Sequence, residues 1–167
     1  MIFFWSFLGT FPVLCGRKRQ RIIRLTLPFT HRLAPEILEP FPYGDRIARQ
    51  CRAEADSPQD LMLLLTTRLI NSVYSYGNAA PETLPAAFAL AEACEADVQA
   101  AVLLANSIPK AADSLPAIVG ALCGAVQGLD ALSPRWQAQL TACRGLCLPC
   151  TAGVRLDDLA HQLARQE

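Results

Sequence analysis

Charge is scarce in this sequence, and the two signs cancel. Asp, Glu, Lys and Arg make up 18% of the 167 residues, and 15 basic groups stand against 15 acidic ones, so the formal net charge is zero. Proteins that bind nucleic acid gain affinity by neutralising phosphates with Lys and Arg, so the balance argues against a dedicated nucleic-acid binder. The hydrophobic share of 52% excludes an intrinsically disordered chain. We therefore expect a folded, globular protein.

Histidine is also scarce, and several catalytic motifs are missing. His31 and His161 are the only two histidines, and neither belongs to a local signature with a Ser or Cys nucleophile, so no catalytic triad is indicated. The sequence contains no glycine-rich phosphate-binding loop either. The neighbouring Asp157 and Asp158 are interpreted as charges that favour the start of a helix rather than as metal ligands.

The N-terminal part has no apolar run long enough for a spanning helix. Residues 1–15 are apolar, but a spanning helix needs about 20 such residues. The basic stretch RKRQRIIR follows this run, whereas a signal peptide carries its positive charges first. We expect a buried or irregular end rather than a membrane anchor, followed by a solvated basic flank. Seven cysteines, an odd number, fit reduced thiols in a cytoplasmic protein.

Proline and charge divide the chain near residue 50. Four prolines between Leu27 and Asp45 predict an extended or turn-rich connector. Residues 1–50 carry a net charge of +5, and residues 51–167 carry −5. The sequence thus predicts an irregular, basic and apolar segment over 1–50 and a helical domain over 51–167.

Beyond the connector the apolar residues recur at helical spacing, and no alternating strand pattern is present. Ser57-Pro58 is typical of an N-cap followed by a proline in the first turn, and Gly77-Asn78 is the predicted end of that helix. Further helices are predicted from near Pro81, with Pro85 in the first turn, after Asp97, after Asp113 or Ser114, after Ser133-Pro134 through residue 146, and from Leu156 onward. The expected fold class is an all-α, Ala-rich helical bundle.

One predicted helix carries glycine at every fourth position. Gly120, Gly124 and Gly128 lie in the stretch LPAIVGALCGAVQG, and glycines at this spacing share one face, where a neighbouring helix can approach closely. We expect this helix to be the central helix of the bundle.

Three cysteines near the C-terminus have a spacing typical of metal sites. Cys143, Cys147 and Cys150 form a C-x3-C-x2-C pattern, which elsewhere holds an iron–sulfur cluster through three thiolates. A tetrahedral zinc site would need a fourth ligand, for which Cys123 and His161 are candidates. A redox pair of Cys147 and Cys150 and ordinary thiols remain alternatives.

Residues 79–167 resemble the C-terminal part of the ADP-ribosylglycohydrolase family. In that family the loop Gly-Gly-Asp-x-Asp-Thr/Ser precedes a helix of the form x-x-A-I-x-G-A-x-x-G-A. The matching helix positions are Ala117, Ile118, Gly120, Ala121, Gly124 and Ala125. The resemblance implies an all-helical fold, hydrolysis of glycosidic bonds to ADP-ribose, and magnesium as cofactor.

The loop before this helix departs from the family pattern. Asp113 and Ser114 occupy the places of the second aspartate and the following hydroxyl, which the resemblance makes metal ligands. Pro109 and Lys110 stand where the two glycines would be, and Ala111 replaces the first aspartate. The sequence also has no Thr-Asp-Asp motif, which supplies the rest of the family's metal site. A single remaining carboxylate cannot hold a pair of Mg²⁺ ions against water.

From these departures we expect a family member that is truncated and inactive or strongly impaired. One hypothesis is that the Lys110 ammonium pairs with Asp113 and stands in for the missing metal; a solvated lysine is the alternative. A second hypothesis is a non-catalytic helical module that binds an ADP-ribose-like ligand or a partner, with a homo-oligomer as one form. The third is an iron–sulfur or zinc protein that uses the three cysteines.

Overall fold

The structure, a computed structural model, describes residues 41–70, 79–146 and 148–165. The helices in this part are α1 (Phe41–Glu54), α2 (Pro58–Arg68), α3 (Ala80–Ala93), α4 (Val98–Asn106), α5 (Leu115–Gln127), α6 (Pro134–Gln139) and α7 (Leu156–Ala164). Over the same residues, extended backbone pairs only at an isolated antiparallel bridge between Ala142 and Arg155. The predicted all-α fold class is confirmed. The apolar end, the basic stretch, His31, most of the connector, Gly77 and Asn78 lie outside the described residues.

Helix α1 corrects the predicted connector. The connector was expected to reach Asp45, but α1 begins at Phe41 and includes Pro42. A proline is tolerated in the first turn because its missing N–H would have no helical partner there. An ion pair between Asp45 and Arg49, one turn apart on α1, supports the helix after this proline.

Helix α2 begins as predicted but ends earlier. The Ser57 hydroxyl accepts a hydrogen bond from the Asp60 N–H at 3.1 Å, which confirms the N-cap. The prediction that the helix extends to Gly77 is wrong, because α2 ends at Arg68. In the last turn, the Thr66 hydroxyl donates to the Met62 carbonyl at 2.8 Å. Such back-bonding by a β-branched residue weakens a helix locally.

Helix α3, not α5, is the central helix of the bundle. Eleven of its 14 residues are buried, against four of 13 in α5, and α3 packs against α1, α2, α4 and α5. The expectation that the glycine-bearing helix is central is therefore wrong. Pro85 lies inside α3, beyond the predicted first turn, so it has no N–H to donate to the Pro81 carbonyl. Gly44 of α1 packs on that carbonyl: a Cβ at position 44 would lie 2.0 Å from the Pro81 oxygen.

Helices α4 and α5 are present as predicted, but the glycines of α5 make less contact with neighbouring helices than predicted. Asp97 caps α4 by accepting from the Ala100 N–H at 2.8 Å. Gly128 ends α5 with φ of +80°. The close helix contact predicted along the glycines is only partly present. A Cβ at Gly120 would meet Val102 of α4 at 3.4 Å, whereas a Cβ at Gly124 would have no described neighbour within 4 Å apart from the adjacent backbone of α5 itself.

The chain divides into two compact units, with the boundary between Gly128 and Leu129. The first unit contains α1 to α5 and the buried core. In the second, α6 ends at Gln139 rather than near residue 146, because the chain turns back: the Cys143 N–H donates to the Val154 carbonyl at 2.9 Å. None of the described helices has the length and apolar character that a bilayer-spanning segment needs.

Candidate functional site

The loop over residues 107–114 joins α4 to α5 and is held by backbone hydrogen bonds. The Ile108 N–H donates to the Ala105 carbonyl at 3.2 Å, and the Ala111 carbonyl accepts from the Leu115 N–H at 2.8 Å. Ile108 and Ala111 are fully buried. The loop is therefore a folded turn, anchored by two apolar side chains.

Asp113 and Ser114 lie together at the start of α5. Asp113 is exposed and Ser114 is half-buried. The Ser114 hydroxyl donates to the Asp113 carboxylate at 3.2 Å. Ser114 occupies the N-cap position, as expected, but its side chain makes no capping bond to the helix. The hydroxyl is thus committed to the neighbouring carboxylate.

Ala111, at the position where the resemblance expects the first aspartate, has its methyl group directed into the protein. The residue is 0% exposed. A carboxylate at this position would lose its hydration, and a buried charge without a partner is costly. The loop thus has an apolar anchor at the position where the resemblance expects a metal ligand.

Lys110, at a position where the resemblance expects glycine, has a backbone conformation that favours glycine. Its φ is +64°, in the left-handed region that non-glycine residues rarely adopt. The side chain is exposed. The proposed pairing of its ammonium with Asp113 stays a prediction.

The described side chains do not supply the ligands that a pair of magnesium ions needs. Mg²⁺ takes oxygen ligands in near-octahedral geometry and is usually held through carboxylates and water. Within the described ranges 41–70, 79–146 and 148–165, no group of three or more His, Cys, Asp or Glu side chains is placed to hold a metal ion. The magnesium implied by the resemblance is therefore not confirmed, and no catalytic step can be assigned through it.

Two carboxyl groups buried on α3 and one half-buried on α1 were missed by the sequence analysis. Glu82 is 0% exposed and Glu92 is 4% exposed, both on α3. Burial raises the pKa of Asp45 on α1, against the lowering effect of its hydrogen bond and charge interaction with Arg49. An Ala- and Leu-rich helix gave no local signal of this burial, because it depends on the helices that pack around α3.

Two thiols in the first unit are kept protonated by burial. Desolvation raises the pKa of Cys94 to about 11 and that of Cys123 to about 12. The charges of Asp97 and, for Cys123, of Cys94 add to the same effect. Since the thiolate is the reactive form, neither residue is suited to nucleophilic or redox chemistry at neutral pH.

The three-cysteine pattern lies in the second unit, on a loop closed by backbone bonds. Cys143 is half-buried and Cys150 is exposed, while Cys147 lies outside the described residues. His161 is exposed on α7, with Nδ1 2.8 Å from the Asp157 carbonyl oxygen. Asp157 pairs with Arg155 at 2.5 Å in the first turn of the same helix, as expected of a helix-start charge. The metal site of the three thiols stays a prediction.

Comparison with known proteins identifies the family of the chain. The family model described as ADP-ribosylglycohydrolase matches residues 16–167, and the match is to the C-terminal part of the family's domain. It includes the loop before α5 and the whole described chain. No curated protein and no solved structure matches significantly.

Proposed function

Because this chain belongs to the ADP-ribosylglycohydrolase family, we propose that its loop before α5 binds an ADP-ribosyl group without holding the family's magnesium ions. One observation carries the proposal: the place of the first aspartate is filled by Ala111, a buried methyl group. The chain would then recognise an ADP-ribose-like ligand but would hydrolyse its glycosidic bond weakly or not at all.

The chemistry of the loop supports an anionic ligand. Lys110 and the N-terminal end of α5, which begins at Leu115, flank the same short turn. The positive end of the α5 dipole and the lysine ammonium both favour an anion, although Pro116 has no N–H and the Leu115 N–H already donates to the Ala111 carbonyl. In this proposal the Lys110 charge replaces part of the positive charge that a metal ion would supply, and it also offsets the carboxylate of Asp113.

Calorimetric titration of the full chain with Mg²⁺ tests the metal-free site. We expect no saturable micromolar binding and no Mg²⁺-dependent release of ADP-ribose from an ADP-ribosylated protein. Micromolar Mg²⁺ binding that disappears in Asp113→Ala would contradict the proposal. So would robust Mg²⁺-dependent turnover.

Titration with ADP-ribose tests ligand binding separately. Lys110→Ala should weaken binding about tenfold, the usual effect of losing one charged hydrogen bond. Arg135→Ala, which removes an exposed cation of the second unit, should leave binding unchanged. Asp113→Ala should not weaken binding in the absence of metal, because it removes a negative charge beside an anion. A ligand that is held through a metal would instead be lost with Asp113.

A second candidate function, assembly with another copy of this chain, is supported by α5. This helix has no charged residue over Leu115–Gln127, yet Ala117 and Ala121 are exposed. An uncharged helix that meets its own copy across a twofold axis has no like charges to repel. Light scattering behind size exclusion should then show a dimer that Ala121→Glu dissociates, whereas Ala138→Glu on α6 does not. A monomer at all concentrations would contradict this candidate.

A further inference from the structure

Lysine is rare in this chain, and one of its two lysines lies in the loop before α5. Of the 15 lysines and arginines, only Lys18 and Lys110 are lysines. Lys110 is the one lysine among the described residues, whereas Lys18 lies outside them. An arginine at position 110 would carry the same charge and could bind a phosphate through two hydrogen bonds at once. The amine is therefore the chemical feature that distinguishes this position from the other cationic positions of the chain.

The fold of the loop fixes the backbone of Lys110 and leaves its side chain exposed. Ile108 and Ala111, on either side of it in the sequence, are fully buried. The Ala111 carbonyl also accepts a hydrogen bond from the Leu115 N–H at 2.8 Å. Residues 107–114 contain no second lysine or arginine. A chemical change at this one amine therefore changes the whole positive side-chain charge of the loop.

We propose that acylation of the Lys110 amine by an acyl phosphate switches off anion binding at this loop. The inference rests on the proposed binding of an ADP-ribosyl group there. A lysine amine can be acylated and then loses its charge, whereas the guanidinium of arginine stays charged. In the reaction the neutral amine attacks the carbonyl carbon, an amide bond forms, and the bond from that carbon to the phosphate oxygen breaks. Inorganic phosphate leaves and the amine proton passes to solvent, so neither an oxidant nor a reductant is needed.

The acylated loop has the opposite charge. Asp113, which is exposed in the same loop, keeps its carboxylate, so the side chains of residues 107–114 change from a balanced pair of charges to a net negative charge. A negative charge repels the phosphates of the ligand. An acyl phosphate is itself an anion, so the charge that favours the ligand also favours the acyl donor. The ligand and the donor therefore compete for the same amine.

Protection by the ligand tests whether the amine lies at the binding site. The full chain is treated with acetyl phosphate, with and without ADP-ribose, and the acetylation of each lysine is followed by mass spectrometry. With about nine-tenths of the chain occupied, acetylation of Lys110 should slow about tenfold, because only the free fraction reacts. Lys18 is the internal control, and its rate should not change. An unchanged rate at Lys110 in a chain that binds ADP-ribose, or equal slowing at both lysines, would overturn the proposal.

The affinity after acetylation tests the switch itself. In Lys18→Arg, Lys110 is the one lysine left, and its acetylation should weaken binding of ADP-ribose about tenfold, as expected for the loss of one charged hydrogen bond. The double variant Lys18→Arg, Lys110→Arg has no lysine, so its affinity should be the same before and after treatment. An acetylated Lys18→Arg chain that binds as tightly as the untreated one would contradict the switch. If untreated wild-type chain did not bind ADP-ribose, the proposed function would fail, and this inference would fail with it.

Discussion

Lys110 combines a lysine side chain with a backbone conformation that favours glycine. Its φ is +64°, and this left-handed conformation costs about 1–2 kcal/mol for a residue with a side chain. The resemblance expects a glycine at this position. Lys110 thus combines a strained backbone conformation with a positive charge in the loop.

Lys110→Gly should therefore stabilise the protein. We expect the free energy of unfolding to rise by about 0.5–1 kcal/mol, because the relief of strain exceeds the extra entropy of glycine in the unfolded chain. Chemical denaturation followed by circular dichroism measures it. Ala112→Gly, two residues further and without a positive φ, is the control and should lower stability. A destabilising effect of Lys110→Gly would show that the lysine side chain makes a compensating contact.

Cys123 should make the protein less stable at alkaline pH. Its pKa is raised from 9.0 to about 12 by burial, so the folded state holds the thiol proton more tightly than the unfolded state. This contribution is complete below about pH 9 and is lost as the pH rises toward 12. The free energy of unfolding of the wild type should fall more steeply over this range than that of Cys123→Ala. Cys150→Ala, at an exposed thiol, should retain the steep dependence.

At the scale of elements, the packing of α1 on α3 depends on Gly44. A Cβ at this position would lie 2.0 Å from the Pro81 carbonyl oxygen, a backbone atom that cannot move without distorting α3. Gly44→Ala should lower the free energy of unfolding by about 1–3 kcal/mol, the usual cost of overpacking. Thermal unfolding provides the measurement.

Gly124→Ala is the opposite case on α5. Apart from the adjacent backbone of α5 itself, no described neighbour lies within 4 Å of a Cβ at this position, and alanine is the better helix former by about 0.5–1 kcal/mol. The substitution should therefore raise stability by that amount. If both alanine variants changed stability in the same direction, the assignment of Gly44 and Gly124 to different environments would be wrong.

The starts of the helices were predicted better than their ends. Ser57 and Asp97 cap α2 and α4 through bonds to residues three positions later, so the sequence alone contains both partners. The ends of α2 and α6 were predicted too far along the chain. Helix α6 ends where Cys143 pairs with Val154 across a turn, and no pattern local to α6 indicates such a partner.

At the scale of the whole molecule, the buried residues lie in the first unit. We therefore expect the backbone amides of the two units to be unequally protected from hydrogen exchange. The segment Ala86–Glu92 of α3 is buried throughout, whereas none of the described residues after Gly128 is buried. In hydrogen–deuterium exchange with a metal chelator present, the amides of α3 should exchange only through global unfolding. The amides of residues 129–165 should exchange at least about 100-fold faster. Equal protection of the two units would contradict a core confined to the first.

The sequence by itself determined the helical fold class, the capped helix starts and the family, because helical periodicity, capping and a motif are all carried by residues close along the chain. It also located the loop before α5. Only the tertiary structure decided that α3 is central, that Glu82 and Glu92 are buried, and that the methyl group of Ala111 is directed into the protein. These facts depend on which distant residues meet, and burial is a property of such contacts rather than of any one segment.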